Sequence, residues 1–335
     1  MRIFMSYPET AVKKADELIE ARRKRAEQTA AEHTELVYEK CPMIKEIDHA
    51  LSLTGLNVYR AALMGKDGLE ERMAKLKKEN LDLQNHRKEL LKQNGFAEDF
   101  TEVKYTCPKC RDTGYVGVEM CSCKRKALAQ AAFESAGLGS TLKHQGFENF
   151  ELDFYSDKAP DGKLSPRQVM SSILEKSKKY VSDFGNPENA SNLLFIGKTG
   201  LGKTHLTTAV ARGIIEKGYD VVYESAQNII RAFELSRFER DENAGNETDR
   251  FFSCDLLIID DLGTEFVNSF TQSVLYNLIN TRINGAKPMI ISTNLDNTQL
   301  FKKTYDDRIT SRLIGSFRSF RFEGSDIRIQ KAKAK

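Results

Sequence analysis

The sequence lacks tryptophan, which excludes no class of protein. It also lacks long apolar runs, which argues against a protein with membrane-spanning helices. None of its apolar stretches approaches the roughly 18 residues that a membrane-spanning helix needs. The first 25 residues are charged and contain no apolar core of the kind found in secretory signals. Charged residues make up 30% of the chain. These features predict a soluble cytoplasmic protein with no membrane partner.

The chain also lacks a strong charge of either sign. Its 51 Lys and Arg residues nearly balance 48 Asp and Glu residues, for a formal net charge of +3. This balance neither demands nor excludes nucleic acid, because phosphate binding depends on local clusters of basic side chains. The length of 335 residues predicts two or three folding units.

The first hundred residues have a helical and highly charged pattern. Ser6 and Glu9 form a capping-box start signal for a helix that runs to about Tyr38. A second helix is expected from about Pro42 to Met64, and Gly65 ends it.

A third helix is expected after a cap at Asp67, with Gly95 as its stop signal. Its leucines recur every seven residues, and two seam positions between them are polar; these residues are Leu69, Leu76, Leu83 and Leu90, with Asn80 and Arg87. The pattern fits an antiparallel helical hairpin or small bundle. It also fits a protein-binding module whose seam docks on helices of a partner.

Four of the six cysteines fall in one 17-residue window, as Cys107, Cys110, Cys121 and Cys123. In a reducing compartment such a cluster indicates a metal site before it indicates disulfides. Four thiolates can complete the tetrahedral coordination of one Zn²⁺ ion. The second pair is C-x-C, however, and departs from the C-x-x-C pairs of a standard zinc ribbon. A reactive thiol switch is the alternative. The other two cysteines have no partner at ligand spacing and are expected to be inert buried thiols.

From about residue 140 onward, short apolar runs alternate with helical stretches. The predicted strands are Asn192–Ile196, Asp220–Tyr223, Leu256–Ile259 and Pro288–Ser292. Alternation of this kind predicts a three-layer α/β domain with a parallel sheet. The predicted domains are a helical region over 1–100, a zinc-binding module over 101–135 and an α/β domain over 136–335. The polar stretch Ser236–Arg250 is expected to be a mobile connection.

A phosphate-binding loop follows the first of these strands. The stretch GKTGLGKT matches G-x-x-x-x-G-K-[ST] and precedes a helical segment, so its backbone N–H groups and the helix N-terminus can bind phosphates. Lys203 is expected to reach the β- and γ-phosphates of ATP, and the Thr204 hydroxyl to ligate Mg²⁺. The expected nucleotide-binding residues are Gly197, Lys198, Thr199, Gly200, Leu201, Gly202, Lys203, Thr204 and His205.

Polar side chains follow the next two apolar strands. Asp260 is predicted to bind Mg²⁺, and Asp261 to polarise the attacking water, with Glu265 as a competing base. Because aspartate is one methylene shorter than the usual glutamate, we expect modest intrinsic hydrolysis. Asn294 is expected to sense the γ-phosphate.

Two arginines lie four residues apart near the end of the chain. Arg308 and Arg312 share one helix face, and one of them is predicted to reach the γ-phosphate of a neighbouring protomer. An ordinary surface face with salt bridges is the alternative. Arg328 is a candidate second sensor in its own protomer.

Taken together, GKTGLGKTH, LLIIDDLGTE, ISTN and RITSRL resemble the DnaC/DnaI-type replicative helicase loaders, which are grouped with the IstB-like transposition ATPases. The resemblance covers residues 140–330 and implies an AAA+ ATPase domain without the C-terminal helical lid. It implies the roles given above for Lys203, Thr204, Asp260, Asn294 and the three arginines. The helical region with CPKC and CSC resembles the part of DnaI-type proteins that docks on the hexameric replicative helicase.

The resemblance also implies self-association through ATP interfaces and binding of single-stranded DNA by the ATPase domain. The basic and aromatic stretch Ser225–Arg240 suits backbone contact and base stacking through Arg231, Phe233, Arg237, Phe238 and Arg240. An amphipathic helix with solvated arginines explains the same stretch. Two other functions stay open: a transposition helper that coats duplex DNA, and a phosphate-binding scaffold that does not hydrolyse ATP.

Overall fold

The computed structural model describes residues 7, 9–65, 67–134, 144–159, 163–186, 191–238 and 242–333. The chain forms two compact units, one of Leu18–Glu119 and one that joins Met1–Glu17 to Met120–Lys335. The first turns of the first helix belong to the second unit, where Ala11 packs against Ala131 and Ala132. The two units therefore cut across the predicted boundaries at residues 100 and 135, and the three-domain division stays a prediction.

The smaller unit is helical, as expected. Its helices, of which the first begins in the other unit, are α1 (Glu9–Lys40), α2 (Pro42–Ser52), α3 (Thr54–Leu63) and α4 (Leu69–Gln93). The predicted stop of α4 at Gly95 is confirmed. Gly95 has φ 79° and donates to Lys92 O, while Phe96 N donates to Leu91 O, which satisfies the last carbonyls of the helix.

Three predictions on helix ends have different outcomes. The expected single helix over residues 42–64 is wrong, because the chain turns at Leu53 and forms α2 and α3. The expected cap at Asp67 is also wrong, since Gly68 holds the N-cap position at φ 69° without a side-chain cap. The capping-box residue Ser6 lies outside the described residues.

The leucine seam of α4 is used inside the unit. Its leucines are half-buried, and its polar positions bond to the facing helices. Asn80 Nδ2 donates to Thr54 Oγ1 at 2.7 Å, and Arg87 Nε donates to Asp48 Oδ1 at 2.6 Å. These contacts favour the small-bundle interpretation of the seam.

The larger unit is an α/β domain preceded by a hairpin. The hairpin consists of β1 (Tyr115–Val116) and β2 (Glu119–Met120), and the strands of the domain are β3 (Asn192–Ile196), β4 (Val221–Ser225), β5 (Leu256–Leu262), β6 (Met289–Thr293) and β7 (Phe317–Arg321). Its helices are α5 (Ser122–Phe133), α6 (Pro166–Asp183), α7 (Lys203–Glu216), α8 (Ala226–Phe238), α9 (Glu242–Ser253), α10 (Ser269–Asn284), α11 (Thr298–Thr304), α12 (Asp307–Ser316) and α13 (Ile327–Lys333).

The central sheet is five-stranded and its paired strands are parallel, in the order β4-β5-β6-β3-β7. All four predicted strands are present, each within a few residues of its expected ends. Buried side chains on the two faces of the sheet belong to two separate apolar clusters, as with Leu193 and Leu194 of β3. Helices cover both faces, so the predicted α/β three-layer class is confirmed.

The stretch Ser236–Arg250 was expected to be a mobile connection, and this is wrong for its second half. Residues 242–253 form α9, because apolar side chains at its end pack into the core: Phe251 is 2% exposed. No helix in the described part of the chain is long and apolar enough to cross a membrane.

Arg282 is almost fully buried and ties α9 to the sheet. Its guanidinium donates to Phe251 O at 2.8 Å, Cys254 O at 3.2 Å and Pro288 O at 2.9 Å. The Cys254 thiol lies 3.3 Å from the same guanidinium, and burial raises its pKa to about 11. A thiol with that pKa is protonated at neutral pH, which agrees with the inert role expected for Cys254. Cys41 is only half-buried.

Candidate functional site

The phosphate loop joins β3 to α7, and two glycines give it its shape. Gly200 and Gly202 have φ 79° and 86°, a left-handed conformation that other residues rarely adopt. A Cβ on Gly200 would lie 2.2 Å from the carboxyl group of Asp326. The loop is held from outside by the Tyr155 hydroxyl, which donates to Leu201 O at 2.9 Å. Its backbone N–H groups are thereby fixed at the start of a helix, where anions bind.

Lys203 lies at the centre of the loop. Its ammonium donates to Gly197 O at 2.7 Å, to Lys198 O at 2.9 Å and to Asn294 Oδ1 at 2.7 Å. Burial lowers its pKa, while the nearby carboxylates of Asp260 and Asp261 oppose that shift. The structure therefore places Lys203, Asn294 and the acidic pair together, as the sequence predicts from residues up to 91 positions apart.

Asp260 is buried near the end of β5, which lies between β4 and β6. Because the carboxyl ends of parallel strands meet at one edge of the sheet, hydroxyl groups from both neighbours reach it. Its Oδ2 accepts from Tyr223 at 2.7 Å and from Thr204 at 3.2 Å, and its Oδ1 accepts from Ser292. A carboxylate beside the hydroxyl of the phosphate-loop threonine is a donor set that Mg²⁺ prefers. The residues present thus fit the predicted magnesium site.

Asp261 follows at a break in the strand pairing. The pairing of β5 with β6 shifts between Ile259 and Leu262, and Asp261 has φ 53°. Its N–H donates to Ser292 Oγ at 3.0 Å, and its carboxylate faces the cleft over the phosphate loop. Burial and the adjacent Asp260 charge raise its pKa, which makes the carboxylate a stronger base.

A cleft of about 400 Å³ opens over the loop. The phosphate-loop residues Thr199 to His205 line it, together with the polar side chains of Asp261, Asn294 and Arg328. The segment before α6 and the helix α13 also contribute to the lining, with Gln145, Asn149, Phe150, Glu151, Phe154, Tyr155, Ile327 and Lys331. The polar loop lies beside an aromatic wall formed by Phe150, Phe154 and Tyr155. This combination suits a nucleotide, with its phosphates on the loop and its base on the aromatic wall.

His205 is the last phosphate-loop residue that lines the cleft. Its Nε2 lies 2.9 Å from Gly146 O, and its ring meets the edge of Phe150 at a centroid distance of 5.3 Å. Burial lowers its pKa, so the ring is neutral at neutral pH. His205 therefore joins the aromatic wall to α7 and brings no positive charge to the phosphates.

Glu265, the competing base, is engaged elsewhere. Its carboxylate accepts hydrogen bonds from the Tyr305 hydroxyl and from Gly263 N, the latter at 2.9 Å. It does not line the cleft, whereas Asp261 does. This geometry favours Asp261 over Glu265 as the base.

The arginine pair lies away from the cleft of its own chain. Arg308 forms an ion pair with Asp306 at 3.0 Å and stacks over the Tyr276 ring at 5.1 Å. Arg312 is half-exposed one turn further along α12. Neither residue lines the cleft, whereas Arg328 does.

The four clustered cysteines come together in space. The sulfur atoms of Cys107, Cys110, Cys121 and Cys123 all lie within 4.8 Å of one another. Four sulfurs around one zinc ion at about 2.3 Å would be roughly 3.8 Å apart. The cluster can therefore hold a metal ion. The buried Asp112 supports the first pair, because its carboxylate accepts from Cys107 N at 2.9 Å.

Sequence reasoning missed two residues of the site and one wall of the cleft. Tyr223 is part of a predicted strand, and Ser292 part of a predicted motif, but neither had an expected role. A polar atom at the carboxyl end of a strand next to Asp260 is the only signal for either of them. The aromatic wall from Phe150 to Tyr155 carries no motif that indicates a base-binding role.

Residues 164–331 match the family described as IstB-like ATP binding protein. Replicative helicase loader DnaC from Escherichia coli (strain K12) is 22% identical over 193 residues, which cover 56% of this chain and 71% of the loader. A putative insertion sequence ATP-binding protein from Sinorhizobium fredii (strain NBRC 101917 / NGR234) is 28% identical over 171 residues, 50% of this chain and 56% of that protein. The crystal structure of a DnaC helicase loader has a TM-score of 0.42 and 24% identity, over 53% of this chain and 98% of that one. The family match covers half of the chain and includes the phosphate loop, Asp260 and Asn294, so the chain belongs to the IstB-like ATP-binding protein family.

Proposed function

We propose that this protein is an ATP-dependent loader of the replicative DNA helicase. In this proposal the N-terminal region binds the hexameric helicase, and the ATPase domain binds single-stranded DNA. The observation that carries the proposal is the assembly of Lys203, Thr204, Asp260, Asp261 and Asn294 around one cleft. The similarity to a helicase loader supports the choice of partner. A role in replication also agrees with the cytoplasmic location expected from the sequence.

The site has the groups that ATP hydrolysis requires. Lys203 and the loop N–H groups would bind the phosphates, and Thr204 with Asp260 would hold Mg²⁺, which neutralises charge on the phosphates. Asp261 would accept a proton from the attacking water, and Asn294 would contact the γ-phosphate or that water. Because the Asp261 side chain is short, hydrolysis by one protomer alone would be weak, and DNA or a partner would stimulate it.

The surface of the helical unit supports the docking role. On α3 and just after it, apolar side chains are exposed to solvent: Tyr59 is 62% exposed, Leu63 69% and Met64 75%. Exposed apolar patches of this kind mark interaction sites in many proteins. The leucine seam of α4 faces its own unit, so α3 is the better candidate for contact with the helicase.

The DNA-binding role falls on α8, with one change from the sequence prediction. Arg231 and Arg237 are exposed on this helix, which suits contact with phosphates. Phe233 is half-buried and packs against the core beside Phe251 and Phe252, which opposes a role in stacking on bases. Phe238 and Arg240 have no described side chains. We therefore propose that the arginines bind the DNA phosphates, without the base stacking by aromatic side chains that the sequence suggested.

Size exclusion with mass determination tests the loader proposal directly. The protein is mixed with the host's replicative helicase, with and without ATP, and a stable complex is expected. Leu63→Ser combined with Met64→Ser should abolish co-elution, because two apolar side chains leave the proposed contact. Leu164→Ser is the matched control, since Leu164 is 59% exposed in the other unit. A double variant that binds as well as wild type would exclude α3 as the docking surface.

A transposition helper is the second candidate, favoured by the similarity to an insertion sequence ATP-binding protein. Such a helper would coat duplex DNA when it binds ATP and would not bind the helicase. Absence of a helicase complex, together with ATP-dependent coating of duplex DNA in a gel-shift assay, would replace the loader proposal with this one.

We propose further that the cysteine cluster holds structural zinc. A short polar segment of this kind draws its folding free energy from the metal. Purified protein should contain one zinc per chain by mass spectrometry of metals, and Cys107→Ser should lose it. Cys254→Ser is the control and should keep its zinc. Full zinc retention by Cys107→Ser would remove that residue from the site.

A further inference from the structure

Asp260 is held by hydroxyl groups that the phosphate-loop motif does not include. Besides Thr204, its carboxylate accepts hydrogen bonds from Tyr223 of β4 and Ser292 of β6. Both groups are buried: Tyr223 is 6% exposed and Ser292 is fully enclosed. Each oxygen of the Asp260 carboxylate therefore has a hydroxyl donor from a neighbouring strand.

The strand register explains why Tyr223 reaches Asp260. Tyr223 pairs with Ile258, and Asp260 follows two positions later on the same face of the sheet. The Tyr223 ring belongs to the apolar core, and only its hydroxyl reaches the carboxylate.

The Tyr223 hydroxyl also contacts the helix that follows the phosphate loop. It lies 3.0 Å from Thr207 Oγ1 on α7, one turn after the loop residue Thr204. Tyr223 therefore links three elements, namely its own strand, the tip of β5 and the start of α7.

Ser292 has a second contact that Tyr223 lacks. It lies opposite the shift in strand pairing, where its Oγ donates to Asp260 Oδ1 and accepts the N–H of Asp261 at 3.0 Å. This one side chain therefore fixes both the carboxylate of Asp260 and the left-handed peptide of Asp261.

We propose that Tyr223 and Ser292 are positioning residues, which orient the Asp260 carboxylate toward Mg²⁺, and that Ser292 also orients Asp261. The inference rests on the proposed ATPase function. Mg²⁺ tolerates little deviation from octahedral geometry, so a carboxylate that is free to rotate would bind it less well. Hydrogen bonds behind a metal ligand commonly change metal affinity or activity about 10- to 100-fold when removed.

The two residues differ in what they orient, and their variants should differ accordingly. Loss of the Tyr223 hydroxyl removes its bonds to the magnesium carboxylate and to Thr207 but leaves Asp261 held by Ser292, so the requirement for Mg²⁺ should rise. Loss of the Ser292 hydroxyl also releases Asp261, so the maximal rate at saturating Mg²⁺ should fall as well. If the two hydroxyl groups served only the stability of the fold, their loss would not selectively change either the Mg²⁺ requirement or the maximal rate.

The test is a Mg²⁺ titration of nucleotide binding, with a fluorescent ATP analogue and full-length protein. For Tyr223→Phe we expect the Mg²⁺ concentration at half-effect to rise about tenfold, while affinity measured in EDTA is unchanged. Tyr180→Phe is the matched control, because Tyr180 is buried in the same core and its hydroxyl has no hydrogen-bond partner among the described residues. This control should behave as wild type.

Ser292→Ala is the second, independent variant, so the test does not depend on the folding of Tyr223→Phe. It should show the same shift in Mg²⁺ requirement and, in addition, a lower kcat at saturating Mg²⁺. The inference is overturned for Tyr223 if its variant matches Tyr180→Phe, and for Ser292 if its Mg²⁺ requirement stays at the wild-type value. Failure of the proposed ATPase function looks different, because wild-type protein itself would then show no Mg²⁺-dependent binding.

Discussion

Lys203→Ala is expected to weaken ATP binding about 10²- to 10⁴-fold, because hydrogen bonds to charged groups contribute about 1.5–3 kcal/mol each and Lys203 would contact two phosphates. The ammonium is already buried and surrounded by acceptors, and burial lowers its pKa. Phosphate oxygens would replace those acceptors. The measurement is titration with a fluorescent ATP analogue, together with the rise in melting temperature that ATP causes in wild-type protein.

The control for this variant is Lys179→Ala. Lys179 is an exposed lysine on α6, so the change in net charge is the same and the cleft is untouched. Both variants should have wild-type circular dichroism without nucleotide, because the hydrogen bonds of the Lys203 ammonium to described residues go to loop carbonyls and Asn294 and to no other element of the core. Unchanged nucleotide affinity in Lys203→Ala would reject the phosphate-loop assignment, and with it the ATPase proposal.

The sequence was sufficient to place the centre of this site. Asp260 and Asn294 directly follow short apolar runs, and parallel strands bring such positions to one edge of a sheet. The phosphate loop follows a third strand of the same sheet, which the register of β3 with β6 confirms. The close contact between Lys203 and Asn294 is therefore a consequence of strand pattern, since each strand end could be located from the sequence alone.

Other features depend on contacts that no local pattern reveals. Tyr223 looks like an ordinary core tyrosine until β4 is paired with β5. Glu265 was a reasonable base from its spacing, but the fold supplies Tyr305 as its partner from 40 residues away. The polar stretch before Cys254 was expected to be mobile because its composition is polar. Arg282 stabilises its end by bonding to backbone carbonyls, a role that its sequence neighbours do not indicate.

Arg312→Ala is expected to lower ATP hydrolysis by about 10³- to 10⁵-fold with ATP binding retained, the magnitude seen for arginines supplied in trans. Neither arginine of α12 lines the cleft of its own chain, so any contact with the γ-phosphate must come from another protomer. Arg308 is held by Asp306 and Tyr276, whereas no hydrogen bond or ion pair of the half-exposed Arg312 side chain is found among the described residues. Arg308→Ala should therefore cost much less activity. Steady-state ATPase assays with each variant, at equal nucleotide occupancy, provide the comparison.

Mixing two inactive variants separates action in trans from action in cis. A Lys203→Ala protomer has no nucleotide but keeps Arg312, while an Arg312→Ala protomer keeps its nucleotide site. If the arginine acts across a head-to-tail interface, an equimolar mixture should regain about a quarter of wild-type activity, the fraction of interfaces that join the two intact halves. A mixture as inactive as its components would rule out a trans role, and so would full activity in Arg312→Ala alone. Recovery would also explain how weak single protomers become an active ATPase only after they assemble, because each site would be completed by its neighbour.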